Sequence, residues 1–192
     1  MKIGVLALQG AFIEHIQCLE KLGVNGIEIR QSTDLDGLDG LILPGGESTV
    51  QGKLLHDLKM FDKIKQLISE GFPVLGTCAG LILLGANVIN ADSQNQNPHL
   101  GTLPVTVQRN AYGRQLGSFV HTGDVGAIET FPMEFIRAPY IKDVSNDVEI
   151  LSRVDSKIVG VRYKNQIGLA FHPEMTDDLR IHKAFINLIK AS

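Results

Sequence analysis

The chain has 192 residues, of which 44% are hydrophobic and 20% are charged, and its formal net charge is −3 at pH 7. This size and composition are those of one soluble globular domain, so we expect residues 1–192 to form a single domain. Lysine and arginine are scattered, and no apolar run approaches the roughly 18 residues of a membrane span, so we expect no nucleic-acid partner and no membrane insertion.

The N-terminus and the cysteines indicate a cytoplasmic protein. Residues 1–6 are too short and turn polar too soon for a signal peptide, and they are typical of a first strand. Cys18 occurs at helical spacing with apolar neighbours, which favours a buried thiol over a disulfide with Cys78. Because nothing in this pattern suggests an oxidising compartment, we expect cytoplasmic localisation.

The first half of the chain alternates apolar strands with amphipathic helices. The pattern predicts strands over 2–8, 27–30, 40–43 and 72–76, and helices over 11–22 and 54–68. Because these strands are apolar throughout, both faces of their sheet must be covered, as in a parallel α/β sheet.

The second half of the chain has a different character. It begins with a polar loop over 87–98 and ends with a helix that we expect Thr176 to cap. Between them, shorter strands are predicted near 103–109, 116–121, 134–138, 147–153, 158–163 and 166–171, with hairpin connections at 155–157 and 164–166. The predicted fold class is therefore α/β, with a mostly parallel central sheet flanked by helices and an added antiparallel portion.

Cys78 is the first candidate functional residue. It lies midway between Gly76 and Gly80 and follows the strand 72–76. A tight strand-to-helix turn lifts a nucleophile out of a sheet, and flanking glycines give it room. The next helix would direct free N–H groups and its positive dipole end at the sulfur, which favours the reactive thiolate. Taken alone, the pattern fits an inert buried cysteine equally well.

His172 is the candidate base. It ends an apolar strand at the edge where parallel sheets form active sites, and Pro173 predicts an extended backbone at this point. In an extended segment Glu174 projects to the same side as His172 and can orient its ring, although a strand-ending histidine beside an incidental glutamate is the alternative. The other histidines are assigned structural or surface positions: we predict solvated or half-buried side chains for His15, His56 and His182, and capping or structural roles for His99 and His121.

The segment Pro44–Ser48 is the third candidate element. It follows the strand 40–43, and its paired glycines allow close backbone approach to a ligand. The N–H groups of Gly46 and Ala79 could together form an oxyanion hole, while a plain strand-to-helix turn is the alternative. The spacing fits neither a phosphate-binding loop nor a dinucleotide fingerprint or a zinc site. A cysteine, an oriented histidine and a Gly-Gly loop together describe acyl transfer.

These motifs carry a family resemblance. Pro-Gly-Gly at 44–46, Gly-Thr-Cys-Ala-Gly at 76–80 and His-Pro-Glu at 172–174 resemble the triad-type (class I) glutamine amidotransferases. The finer resemblance is to the branch formed by the glutaminase subunits of pyridoxal 5′-phosphate synthases, and it spans nearly the whole chain. The segments that carry it are 4–12 with Glu14-His15, 41–49, 97–101, 109–110 with 113–115, and 135–139.

The resemblance implies an activity and a set of residues. It implies hydrolysis of L-glutamine to glutamate and ammonia through a cysteine thioester, with no cofactor and no metal. The roles that it implies are Cys78 as nucleophile, His172 as acid/base and Glu174 as its orienting partner, with glutamine contacts at Gly46, Glu47, Ser48, Arg109, Ile136 and Arg137. It also implies a separate barrel-shaped synthase partner that receives the ammonia, with Gln9-Gly10 and the first helix near that partner.

Other functions remain open at this stage. One is a cysteine hydrolase, or a glutaminase that serves another ammonia-using synthase, such as that of the imidazole glycerol phosphate pathway. Another is a ligand-binding module that has kept the fold without turnover, although such a module is expected to lack part of the triad. The loop at 91–96 looks longer than the family pattern, which bears on surface contacts and not on the chemistry.

Overall fold

A computed structural model of the chain describes residues 1–89, 99–109 and 117–192. The α-helices of these residues are α1 (Phe12–Lys21), α2 (Ser48–Asp57), α3 (Phe61–Ser69), α4 (Ala79–Leu84) and α5 (Arg180–Ala191), with short 3₁₀ helices at Ser32–Leu35 and Pro173–Met175. The strands are β1 (Lys2–Leu6), β2 (Asn25–Ile29), β3 (Gly40–Leu43), β4 (Val74–Thr77), β5 (Gly85–Ile89), β6 (Leu103–Gln108), β7 (Ser118–Val125), β8 (Ile128–Ile136), β9 (Tyr140–Val144), β10 (Glu149–Val154), β11 (Lys157–Tyr163) and β12 (Gln166–Leu169).

The strands form one large sheet and one small one. The large sheet has the order β2-β1-β3-β4-β12-β11-β9-β6-β5, and β10 pairs with β11 outside this path. In this order, each strand from β2 to β12 is parallel to the next one. The pairs β12–β11, β11–β9 and β9–β6 are antiparallel, and β6 and β5 are parallel to each other. Strands β7 and β8 make a separate antiparallel hairpin. The predicted fold class is confirmed.

The central strands are covered on both faces. Every residue of β3, β4 and β12 is buried, as their continuous apolar sequences predict. Helix α5 packs so closely on β3 that a Cβ on Gly40 would lie 2.6 Å from Ile189 Cδ1. Each leucine or isoleucine buried in this way contributes about 1.5–3 kcal/mol relative to exposure. The strand ends are therefore held rigidly, which suits a site that needs fixed geometry.

Some element boundaries differ from the prediction. The helix predicted over 54–68 is two helices, α2 and α3, because Lys59 adopts a φ of 56° between them. Strand β5 occupies the start of the predicted polar loop, and β9 was not predicted. Thr176 does not cap the last helix: it ends the 3₁₀ helix, and Leu179 precedes α5. The hairpin connections at 155–157 and 164–166 are confirmed. The loop 91–97 and the motif residues 110 and 113–115 lie outside the described residues.

The cysteines and the helices bear on two further predictions. Cys18 is a buried free thiol, as predicted, and Cys78 is also free and buried. Within the described ranges, every helix is too short or too polar to cross a membrane.

Three neighbouring strands bring the sequence motifs together. Strands β3, β4 and β12 are parallel and adjacent, so their carboxyl ends lie at one edge of the sheet. The loop Pro44–Ser48 leaves β3 there, Cys78 follows β4, and His172 comes three residues after β12. Ligands of open α/β sheets bind at this edge, so the candidate site lies where the topology predicts.

Candidate active site

Cys78 lies on a strained turn between β4 and α4. Its backbone has φ 47° and ψ −98°, a conformation that residues with a side chain rarely adopt, and its N–H donates to Leu169 O at 2.8 Å. Gly80 is required by packing, because a Cβ there would lie 2.0 Å from Leu43 O. The N–H of Ala79 belongs to the first turn of α4 and has no partner within the helix. The turn therefore presents a thiol and a helix start to the same space.

His172 and Glu174 form a buried pair. His172 Nδ1 lies 2.7 Å from Glu174 Oε1, and each residue is 5% exposed. The backbone N–H of His172 donates to Glu134 O of β8 at 2.8 Å, which fixes the chain at this point. The contact with Glu174 is made within a 3₁₀ turn, Pro173–Met175, rather than along the extended segment that the sequence predicted.

The electrostatics of the pair favour a charged imidazole. Burial lowers the pKa of His172, but Cys78 and Glu174 more than offset this effect and raise it to about 10. Burial raises the pKa of Glu174, while the contacts with His15 and His172 hold it below its usual value. Cys78 acts on His172 although Nε2 of the ring has no hydrogen bond of ordinary geometry among the described residues. Such bonds are often long before substrate arrives.

The loop after β3 packs directly on His172. A Cβ on Gly45 would lie 2.2 Å from His172 Cε1, so the ring of His172 lies against this glycine. The N–H of Gly45 donates to Thr77 Oγ1 at 3.1 Å, and its carbonyl accepts from Ala11 N–H at 3.0 Å. Gly10, with φ 98°, allows this approach, because a Cβ there would lie 1.9 Å from Gly45 O. The Gly-Gly loop is thus fixed from three sides.

A cavity of about 470 Å³ opens beside the thiol. Its volume lies within the range of small-molecule sites. The predicted site residues that line it are Gly46, Glu47, Ser48, Cys78, Arg109, Ile136, Arg137 and His172. Ala79 and Glu174 do not line it: Ala79 is the first residue of α4 after Cys78, and Glu174 contacts Nδ1 of the histidine ring. A thiol and an imidazole that contacts a buried carboxylate, both bordering one cavity, are groups that can carry out acyl transfer.

The charged residues of the cavity are partly engaged with one another. Glu47 caps α2, accepting from Thr49 N–H at 3.1 Å and Val50 N–H at 2.9 Å. Arg109 Nη2 lies 3.1 Å from Glu47 Oε1. Burial raises the pKa of Glu47, and the capping bonds outweigh it, so the carboxyl stays ionised. Arg137 is exposed and also has a positive φ, of 46°. The wall of the cavity therefore carries both signs of charge.

Sequence reasoning missed four residues that the structure brings to the site. Gln9 Oε1 accepts from Glu47 N–H at 2.7 Å and borders the cavity, whereas the sequence pointed only to a role near the partner. Thr77, His15 and His182 lie behind the triad. The prediction that His15 and His182 are solvated or half-buried is wrong, because both are 0% exposed. Both histidines occur at helical spacing from core residues, and this spacing was the feature of the sequence that could have indicated their burial.

We expect the free energy of unfolding to fall as the pH drops below about 6.5. Burial lowers the pKa of His182 to about 3, and it lowers that of His15 as well. In the unfolded chain both imidazoles take up a proton near pH 6.5, whereas in the folded chain burial keeps His182 neutral at pH 5 and shifts the protonation of His15 to lower pH. The unfolded state therefore binds more protons, and His182 alone contributes about 1.4 kcal/mol per pH unit to the slope of the free energy of unfolding against pH, with His15 adding to it in the same direction. Urea unfolding at pH 7.5, 6.5, 5.5 and 5.0 measures this slope.

Two variants provide the comparison for this slope. His182→Gln removes one buried imidazole and should lower the slope between pH 6.5 and 5.0 by about one proton. His56→Gln changes an exposed histidine that stacks on Phe61, and it controls for the substitution itself. An identical slope in the wild type and in His182→Gln would contradict the neutral buried state.

Known proteins resemble this chain over nearly its full length. A family model described as the SNO glutamine amidotransferase family matches residues 5–191. The pyridoxal 5′-phosphate synthase subunit PdxT of Desulfitobacterium hafniense (strain DSM 10664 / DCB-2) is 56% identical, covering 98% of this chain and 94% of the relative. PdxT of Methanocorpusculum labreanum is 53% identical, covering 98% of each chain. A crystal structure of a glutamine amidotransferase superimposes with a TM-score of 0.93 at 40% identity, covering 98% of each chain. The chain belongs to the SNO glutamine amidotransferase family.

Proposed function

We propose that this chain is the glutamine-hydrolysing subunit of a pyridoxal 5′-phosphate synthase. The observation that carries the proposal is the buried Nδ1–Oε1 contact of 2.7 Å between His172 and Glu174, with Cys78 beside that ring in one cavity. The full-length similarity to PdxT subunits supports the choice of synthase. The reaction releases glutamate and ammonia, and the ammonia is used in vitamin B6 biosynthesis.

The first half of the reaction forms a thioester. The Cys78 thiolate adds to the side-chain amide carbon of glutamine, and the carbonyl oxygen becomes an oxyanion. The N–H groups of Gly46 and Ala79 hold this oxyanion, each donor contributing roughly 3 kcal/mol. His172 gives its proton to the amide nitrogen as the C–N bond breaks, so ammonia leaves and a glutamyl thioester remains.

The second half of the reaction hydrolyses the thioester. His172, now neutral, takes a proton from water as the water oxygen bonds to the thioester carbon. The C–S bond then breaks, which releases glutamate and restores the thiolate beside a protonated His172. Glu174 keeps Nδ1 protonated throughout, so that Nε2 is the atom that exchanges the proton with substrate.

The charged wall of the cavity provides the binding site for glutamine. A guanidinium can hold a carboxylate by paired hydrogen bonds, and Arg109 and Arg137 both border the cavity. Glu47 offers a carboxylate for the amino group, although it already pairs with Arg109. Ser48 and Ile136 complete the wall. This arrangement recognises a zwitterion with a short amide side chain.

The partner and the compartment follow from the chemistry. A catalytic cysteine acts only in its reduced form, which a reducing compartment preserves, and we therefore propose a cytoplasmic location. Free ammonia is protonated and lost in water, so it must pass to a second active site. The full-length similarity to pyridoxal 5′-phosphate synthase subunits supports a separate barrel-shaped synthase subunit as the partner that receives it.

A glutaminase assay with and without the partner tests this proposal. The isolated chain should release ammonia from glutamine slowly, and addition of a pyridoxal 5′-phosphate synthase barrel subunit should raise the rate. The synthase subunit of imidazole glycerol phosphate formation is the matched comparison and should leave the rate unchanged. Activation by that second subunit alone would assign the chain to another pathway. Absence of glutamine hydrolysis with either synthase subunit would overturn the proposal that the chain is a glutaminase.

A further inference from the structure

Two further buried histidines, His15 and His182, lie next to Glu174 in the protein interior. His15 on α1 and His182 on α5 are each 0% exposed, and they lie on the far side of Glu174 from the cavity. His182 Nε2 is 2.9 Å from His15 Nδ1. Burying two imidazoles costs free energy unless their nitrogens find partners, so a pair in this position requires an explanation.

The partners of His15 fix its tautomer. Its Nε2 lies 3.2 Å from Thr77 Oγ1 and 3.3 Å from Glu174 Oε2, an oxygen that has no hydrogen bond of its own within the described residues. A proton on Nε2 faces both oxygens, whereas a lone pair there would face a carboxylate. Nδ1 of His15 then accepts from Nε2–H of His182. The remaining Nδ1 of His182 lies buried with no partner in the described part of the chain, and a bare acceptor is tolerated there better than an N–H.

The Nε2–H group of His15 faces both Glu174, which contacts His172, and Thr77, which contacts the Gly-Gly loop. Glu174 uses Oε1 to hold Nδ1 of His172 at 2.7 Å, and its other oxygen faces His15. Thr77 accepts the N–H of Gly45 at 3.1 Å, and it directly precedes Cys78. A shift of His15 would therefore release the carboxylate behind the acid/base and the hydroxyl that holds the Gly-Gly loop.

We propose that His15 is a positioning residue, which uses its Nε2–H to hold Glu174 and Thr77 in place while His182 fixes its tautomer. His15 does not touch the substrate, because it lies behind the triad and does not line the cavity. The inference rests on the proposed glutaminase function, since it assigns a role in that reaction. The charged and titratable groups near His15 are Glu174 and His172, His182 of α5, and Glu14 on its own helix.

Two amide substitutions separate this role from mere stability. The amide nitrogen of glutamine falls near the place of Nε2 of histidine, whereas that of asparagine falls near Nδ1. His15→Gln therefore restores the donor toward Glu174 and Thr77, and His15→Asn does not. Both variants are polar and uncharged, so a purely structural role would lower their stability and activity alike.

The test is steady-state glutamine hydrolysis by each variant in complex with the barrel subunit. We expect His15→Asn to lower kcat by about 10²-fold with KM within about twofold, as for a small misplacement of catalytic groups. His15→Gln should recover most of this loss, and His56→Gln should match the wild type. Equal kcat losses in the two His15 variants, or losses that follow only the free energy of unfolding, would overturn the inference.

A second pair of variants covers the case in which His15→Asn does not fold. Thr77→Val removes the hydroxyl with little change of shape, and Thr77→Ser keeps it. The inference expects Thr77→Val to lower kcat at least tenfold and Thr77→Ser to lie close to the wild type. Equal activity of these two variants would overturn it. An inactive wild-type complex would instead count against the proposed glutaminase.

Discussion

Cys78→Ala and Cys78→Gly should both abolish glutamine hydrolysis, and the glycine variant should be the more stable of the two. Loss of a nucleophile in an acyl-transfer site typically costs about 10⁴-fold or more in kcat. The stability difference comes from the backbone, since φ 47° and ψ −98° strain any residue with a Cβ. Glycine should relieve roughly 1–3 kcal/mol of this backbone strain. Its greater flexibility in the unfolded chain costs about 0.5–1 kcal/mol, so we expect the glycine variant to be more stable than the alanine variant by about 1 kcal/mol.

Ammonia release in the assembled complex and urea unfolding of the free subunit measure these two effects. Cys18→Ala is the matched control, because Cys18 is also a buried free thiol but lies on α1, and burial raises its pKa. This control should retain wild-type hydrolysis. Retained turnover in Cys78→Ala would remove Cys78 as the nucleophile. Equal stability of the alanine and glycine variants would mean that the turn carries no strain.

The arrangement of the site motifs could be predicted because each motif directly follows an apolar strand. Gly45, Cys78 and His172 come within three residues of such a strand, and parallel strands end at one edge. The order β3-β4-β12 could not be predicted, because β12 joins the parallel part from the far end of the sequence. Periodicity predicts that a strand exists but does not identify its neighbours.

The buried histidines show where sequence patterns fail. His15 occurs three residues after Phe12 and four before Leu19, on the core side of α1, and His182 occurs three before Phe185. The helical spacing of the two histidines therefore indicated buried positions, whereas the polarity of their side chains indicated positions in contact with solvent. The structure resolves this conflict by pairing each ring with the other, so that burial is offset by contacts across 167 residues of sequence. Partners so distant along the chain are determined by tertiary packing alone.

The same limit applies to the close contacts of glycine. The sequence places glycines around Cys78 and in the loop after β3, and the general reason is the room that a tight turn needs. It does not reveal which atom would occupy the space of a side chain. At Gly80 this atom is the carbonyl oxygen of Leu43, and at Gly45 it belongs to the ring of His172. The first contact joins helix α4 to strand β3, and the second joins the Gly-Gly loop to His172.

Gly45→Ala should therefore impair catalysis through the histidine. A Cβ at this position would lie 2.2 Å from Cε1 and 2.8 Å from Nδ1 of His172. Neither side can yield easily, since Gly45 is tied to Thr77 and Ala11 and the ring is tied to Glu174. We expect the ring to shift by about 1 Å, which lowers kcat by about 10²-fold, and we expect overpacking to cost about 1–3 kcal/mol of stability.

Hydrolysis kinetics and urea unfolding of Gly45→Ala, beside Gly117→Ala, separate these effects. At Gly117 no atom of the residues that the structure describes lies within 4 Å of an added Cβ, so its alanine variant controls for the substitution itself. Gly45→Ala should lose kcat far beyond what its stability explains, because the enzyme remains folded at the assay temperature while its acid/base is misplaced. Wild-type kcat in a folded Gly45→Ala would show that His172 can move aside without loss, and the close packing of loop on ring would then have no part in catalysis.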